Sequence, residues 1–199
     1  LLILLQKGKS MAFENNSGWQ VYDDAGHRKY LNEDERRRFL SAADRLDAPM
    51  RVLCHTLALT GLRISEALSL CQHQLDGARQ TLTVKTLKRR KVVFRSIPIP
   101  QYLASDLREL LADRQGQIWT MHRATAWRAV KRAMDVSGVV GPMACCKGLR
   151  HSFGIRAAEC NVPPSLIQRW MGHASPNTTA VYLDAIGVEE QQFARRMWD

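Results

Sequence analysis

Apolar positions recur at helical spacing through most of the chain. From residue 31, Phe39, Leu40, Ala43 and Leu46 fall on one face, with Asn32 placed to cap and Glu35 three residues on to close a capping box. Pro49 suits the first turn of a second helix over 49–59. That helix is apolar nearly all round (Met50, Val52, Leu53, Leu57, Ala58), which predicts a central, buried position. Gly61 breaks it, and a short helix over 63–70 follows. The period changes over 80–98, where Thr81-Leu82-Thr83-Val84 and Val92-Val93-Phe94 read as hairpin strands closed by Pro98 and Pro100. Helical spacing returns at 101–114 (Leu103, Leu107, Leu110, Leu111) and 124–136 (Ala126, Trp127, Val130, Ala133, Met134). Gly138, Gly141 and Pro142 mark a loop, after which helices are expected at about 148–160, 163–172 and 176–184. A last amphipathic helix, 188–197, carries Phe193 and Met197. The fold class expected is mostly α with a small antiparallel β-sheet. Residues 8–30, rich in Gly, Asn, Ser and Asp, read as an extended arm, and 1–10, ahead of Met11, as upstream sequence. The division expected is therefore an arm or linker over 1–30 and one domain over 31–199.

Composition narrows this. With 199 residues, 45% of them apolar, the chain can build one core and has little left for a second. Lys and Arg number 29 against 19 Asp and Glu, a net charge of +10, which favours a polyanionic partner: nucleic acid first, an anionic membrane surface second. Five cysteines, an odd number without a C-x-x-C pair, fit neither a disulfide framework nor a zinc site, so a reducing cytoplasm is expected. The apolar start, Leu1 to Leu5, is far too short to span a bilayer and lacks the basic leader of a signal peptide, so no membrane partner is expected.

Four segments carry candidate chemistry. In Thr60-Gly61-Leu62-Arg63-Ile64-Ser65-Glu66-Ala67-Leu68, an arginine follows a helix break in apolar surroundings, and Glu66 lies three residues on, placed to hold its guanidinium. By itself this reads equally as an anion site or a structural ion pair. In Val84-Lys85-Thr86-Leu87-Lys88-Arg89-Arg90-Lys91, a basic hairpin tip can enter a DNA groove, or can simply be a solvated turn. In Lys147-Gly148-Leu149-Arg150-His151-Ser152-Phe153-Gly154, two cations stand three apart at a helix start, where free N–H groups add positive potential for phosphate. The last runs from Leu166 through Gly172-His173-Ala174-Ser175 to Tyr182, nine residues past His173 and placed on the next helix. Each of these residues, taken alone, also has an ordinary structural reading.

Together the segments resemble the tyrosine recombinase, or phage integrase, family. The T-G-L-R-x-S-E-x-L string, the L-R-H-S-F string, and G-H-A-S with Tyr nine after the His match its boxes in order and spacing, over about residues 31–197. The resemblance implies the catalytic-domain fold of DNA breaking-rejoining enzymes. It implies that Tyr182 is the nucleophile, attacking a scissile phosphate to leave a 3′-phosphotyrosyl bond and a free 5′-hydroxyl. Arg63 and Arg150 then clamp the non-bridging oxygens. Lys85 protonates the leaving oxygen, with Lys88 as the fallback, and Arg89, Arg90 and Lys91 belong to the DNA-binding tip. His173 hydrogen-bonds the phosphate, and Glu66 positions Arg63. No cofactor, metal or ATP is implied, and no phosphate-cradling Gly-rich loop is present. The partners implied are double-stranded DNA with specific recombination sites, a homo-tetramer on DNA and accessory DNA-bending proteins, in a prokaryotic cytoplasm, nucleoid- or mobile-element-associated.

The chain departs from the family pattern twice. The second box usually opens with His three before its Arg; here Lys147 stands there. A lysine near its usual pKa of about 10.4 donates to phosphate but is a poor general base. Lys147 therefore acts electrostatically, or burial among Arg63 and Arg150 lowers its pKa. His151, about 100° around a helix from Arg150, is expected to serve structure. The second departure is that about 30 residues precede the first box helix, too few for the family's N-terminal helical domain, so a fragment or a short recombinase is expected. Such a half clamp binds DNA more weakly, with a shallower salt dependence, than a full one. Val188, Phe193 and Met197 read either as a docking face for a neighbouring protomer or as core contacts. The competing functions are a type IB topoisomerase, which uses nearly the same residues, and a non-catalytic DNA-binding regulator on this fold.

Overall fold

The computed structural model describes residues 20–86, 92–111, 116–183, 195, 197 and 198. Helix α1 (Glu33–Ala43) starts on the expected capping box: Asn32 Oδ1 accepts from the Glu35 N–H at 2.8 Å, and Glu35 accepts from the Asn32 N–H at 2.8 Å. Helix α2 (Ala48–Thr60) is the centre of the fold, packed against α1, α4 (Gln101–Leu111), α5 (Arg123–Val136) and α6 (Cys146–Glu159). Its burial from Val52 through Ala58 follows from its nearly continuous apolar surface. Gly61 ends it at φ +62°, a left-handed conformation a side chain would resist; a Cβ there would also meet the Phe153 ring at 2.5 Å. The short α3 (Ile64–Leu68) follows.

Among the described residues the sheet has three antiparallel strands in the order β1 (Leu75–Asp76), β2 (Thr81–Lys85), β3 (Phe94–Pro98). The second hairpin strand is thus 94–98, later than the expected 92–94, and β1 was not anticipated. Val84 pairs with Arg95 and Leu82 with Ile97 on the buried face, while Lys85 pairs with Phe94 on the outer face. The shift matters, because it turns Arg95 into the core.

Helix α6 packs on α2, and α7 (Pro164–Met171) packs on α6, on α8 (Asn177–Ala180) and on β3. Ser152 ties α6 to the start of α1 by accepting from the Leu31 N–H at 2.6 Å. Helix α8 is shorter than the expected 176–184: after Ala180 the chain tightens, with Tyr182 and Leu183 N–H groups reaching back three residues, to Thr179 and Ala180. Tyr182 therefore sits in a turn and not on a helix. A second apolar cluster gathers there, with Val21 of the arm, Ile155, Ile167, Met171 and Tyr182. Lys88, Arg89, Arg90 and Lys91, expected at the hairpin tip, and Val188 and Phe193, expected on a last helix, lie outside the described residues. No helix among the described residues is long and apolar enough to cross a membrane.

Candidate active site

Three chain breaks set up the site. Gly61 places Arg63 at the head of α3, the loop before α6 presents Arg150 one turn into that helix, and Gly172, at φ +65°, ends α7 and turns His173 inward. Glu66 is the hub. It is wholly buried, and its carboxylate accepts from Arg63 Nη1 at 3.0 Å, from the Arg63 N–H at 3.1 Å and from Arg95 Nη2 at 2.8 Å. Burial alone would raise its pKa, but the charge and hydrogen bonds of Arg95, then those of Arg63, outweigh that and hold the carboxyl below its usual range.

Arg95 is the residue that sequence reasoning missed. It is 5% exposed, and beyond Glu66 it donates to Thr86 Oγ1 at 2.7 Å and from Nε to the Trp170 carbonyl at 2.8 Å. One side chain thus joins the hairpin, the first box and the end of α7. The signal was available: with Ile97 facing the core, period two puts Arg95 on the same face, where a cation must have a buried partner.

Arg150 is 5% exposed and donates to the Gly61 carbonyl at 2.5 Å and the Met171 carbonyl at 2.6 Å. Burial, followed by the charge of Arg63, lowers its pKa to about 9. Two guanidiniums held together against their mutual repulsion favour an anion between them. His173 is 3% exposed; Nδ1 lies 2.8 Å from Thr179 Oγ1, and the ring stacks on Tyr182 with centroids 6.0 Å apart. Burial, then Arg150 and Arg63, push its pKa down to about 3, so it is neutral at pH 7.

Tyr182 is 1% exposed. Burial raises its phenol to about 12, while Arg150 and Arg63 pull the other way. Its ring lies flat against Gly154 of α6, where a Cβ would come within 2.6–2.7 Å of three ring carbons. Its hydroxyl lies 3.2 Å from His151 Nδ1. The turn from Arg150 does carry His151 to a different face, as expected, but that face is the one against Tyr182.

Lys85 and Lys147, the other predicted cations among the described residues, are both exposed. Lys85 is exposed at the end of β2, on the outer face. Lys147 is exposed in the first turn of α6, and its charge bears on His151, four residues on. Among the described residues no group of three or more His, Cys, Asp and Glu side chains is arranged to hold a metal ion.

A helical domain with a short sheet, in which two arginines, a histidine and a tyrosine act on one another, has the catalytic-domain fold of the tyrosine recombinases. The chain belongs to the phage integrase family, whose family model matches residues 29–186. It is 30% identical over 167 residues to tyrosine recombinase XerA of Thermococcus kodakarensis, covering 77% of this chain and 57% of that protein. Against tyrosine recombinase XerH of Helicobacter pylori it is 27% identical over 193 residues, covering 87% and 53%. The chain thus spans a little over half the length of these curated relatives. Among solved structures it resembles XerH bound to a palindromic difH substrate in a post-cleavage complex (TM-score 0.76, 24% identity, 93% of this chain and 57% of that one). It also resembles the crystal structure of XerA recombinase (TM-score 0.70, 23% identity, 84% and 64%).

Proposed function

We propose that residues 31–199 form the catalytic domain of a site-specific DNA recombinase that cuts and rejoins strands through a 3′-phosphotyrosyl bond at Tyr182. The carrying observation is the pair Arg63 and Arg150 beside Tyr182, with Arg150 lowered to about 9 by burial and by its neighbour's charge. A phosphodiester between the guanidiniums relieves that repulsion, and the extra charge of the pentavalent transition state relieves it further. Tyr182 Oη bonds to phosphorus as the bond to the 5′ oxygen breaks, and Lys85 gives that oxygen a proton. His173 donates to the phosphate from Nε2, a tautomer favoured when the Thr179 hydroxyl donates to Nδ1. Glu66 and Arg95 hold Arg63 in place. Lys147 acts through its charge alone. The bond energy is kept in the phosphotyrosine, so rejoining needs neither metal nor ATP. The relatives named tyrosine recombinases support this reading.

The partner is double-stranded DNA carrying a recombination site, contacted also by Lys88, Arg89, Arg90 and Lys91. Exposed Met197 and Trp198 support a C-terminal segment that docks on a second copy, giving a tetramer on two sites, with DNA-bending proteins as accessories. The test is to select a site from a library of nicked duplexes by adduct formation, then place two copies on one plasmid. Recombinant plasmid is expected. Relaxation of supercoiled DNA lacking any site, without recombinants, would assign the chain to the topoisomerases instead.

A further inference from the structure

From the 3.2 Å contact between His151 Nδ1 and Tyr182 Oη, we infer that His151 is a catalytic residue that takes the proton from the nucleophile. This rests on the strand-cleavage reading above.

Attack by Tyr182 requires that its hydroxyl lose a proton, and with the phenol at about 12 almost none is lost unaided at pH 7. Lys147, which stands where the family has a histidine, is exposed. His151 is one helical turn beyond it, buried at 1% exposure, with a nitrogen already within hydrogen-bond reach of the reacting oxygen. The groups that bear on its titration are Lys147 and Arg150 from its own helix, Lys29 from the arm, and His173 and Tyr182 from the segment after α7. Burial first, then the three cations, lower its pKa to about 4, so it is neutral at pH 7 and Nδ1 carries a lone pair in one tautomer. A phosphate seated on Arg150 offsets that positive field and raises the basicity of His151 when the substrate arrives. In the step itself the Oη–H bond breaks as Oη–P forms, the proton goes to Nδ1, and the P–O5′ bond breaks with a proton supplied by Lys85. Rejoining runs in reverse: the 5′-hydroxyl attacks phosphorus and gives its proton back to Lys85, and protonated His151 returns its proton to the departing phenolate. The Gly154 cradle holds the phenol in register with Nδ1.

His151→Asn places an amide near the Nδ1 position but cannot take the proton. Single-turnover adduct formation is measured on a nicked duplex, once with oxygen and once with sulfur at the bridging 5′ position. Sulfur leaves without a proton and so bypasses Lys85. The variant is expected to react about 100-fold more slowly, with a rate climbing with hydroxide between pH 7 and 10, and sulfur should not rescue it, whereas it should rescue Lys85→Ala. A wild-type rate and pH profile, a faster rate, or rescue by sulfur would each overturn the inference. No adduct with wild-type protein would instead overturn the cleavage reading. Duplex affinity reports whether His151→Asn folds; if it does not, Tyr182→Phe with ¹⁵N-labelled histidine replaces it. There the His151 Nδ1 resonance should move, and an unmoved one overturns the contact.

Discussion

Removing the guanidinium of Arg95 strips the buried Glu66 carboxylate of its shortest partner. Arg95→Met keeps much of the apolar stem but deletes donors to Glu66 at 2.8 Å, Thr86 at 2.7 Å and the Trp170 carbonyl at 2.8 Å. Glu66 keeps Arg63, whose bond is on the more open side of the hub. Breaking a buried pair from one side costs about 3–5 kcal/mol, most of it from the charge left behind. Since that charge is the cause, removing it as well should recover part of the loss. The double variant Arg95→Met with Glu66→Met should be less destabilised than the two single losses added, by about 1 kcal/mol or more. Urea unfolding followed by far-ultraviolet circular dichroism measures all four corners of the cycle. A single-variant loss under about 1 kcal/mol, or strict additivity, would show that Glu66 does not depend on Arg95 and that the hub has been misread.

Acid should weaken the fold. His151 and His173 have folded pKa values of about 4 and about 3, below the unfolded value of about 6.5. The unfolded chain therefore binds the protons first; stability is full above about pH 6.5 and is lost as pH falls toward 4, by on the order of 2 kcal/mol per histidine at pH 5. An unchanged melting temperature between pH 7 and pH 5 would contradict both shifts. Gly154→Ala should push the Tyr182 ring away and cut adduct formation at least tenfold while duplex affinity holds, because the added methyl overlaps three ring carbons; equal adduct yields would refute the cradle. Lys147→His should keep strand cleavage and Lys147→Ala should weaken it; an Ala variant with the parent rate would remove Lys147 from the site.

Much of this was legible because the motifs coincide with backbone events. Gly61 and Gly172 announce helix ends, and each delivers a catalytic candidate, Arg63 or His173, into the residue or two that follow. Asn32 and Glu35 formed the capping box that their spacing required. Arg95 was missed because Val92 and Val93 started the strand two residues too early, which left the inward positions of 94–98 unread. His151 was set aside because angular position on a helix says what a residue turns away from, not what packs on the other side. That neighbour, Tyr182, arrives from 31 residues downstream on the turn that follows α8, and only tertiary packing brings the two rings to 5.8 Å.

The central claim is a covalent bond between Tyr182 and DNA. Incubating the protein with nicked duplexes selected for adduct formation, without metal or nucleotide, then digesting the complex and sequencing the DNA-linked peptide by mass spectrometry, tests it directly. The account predicts a single adduct on the peptide holding Tyr182, linked to a 3′-phosphate, and none with Tyr182→Phe. An adduct that persists in Tyr182→Phe, or its attachment at any other residue, would contradict it.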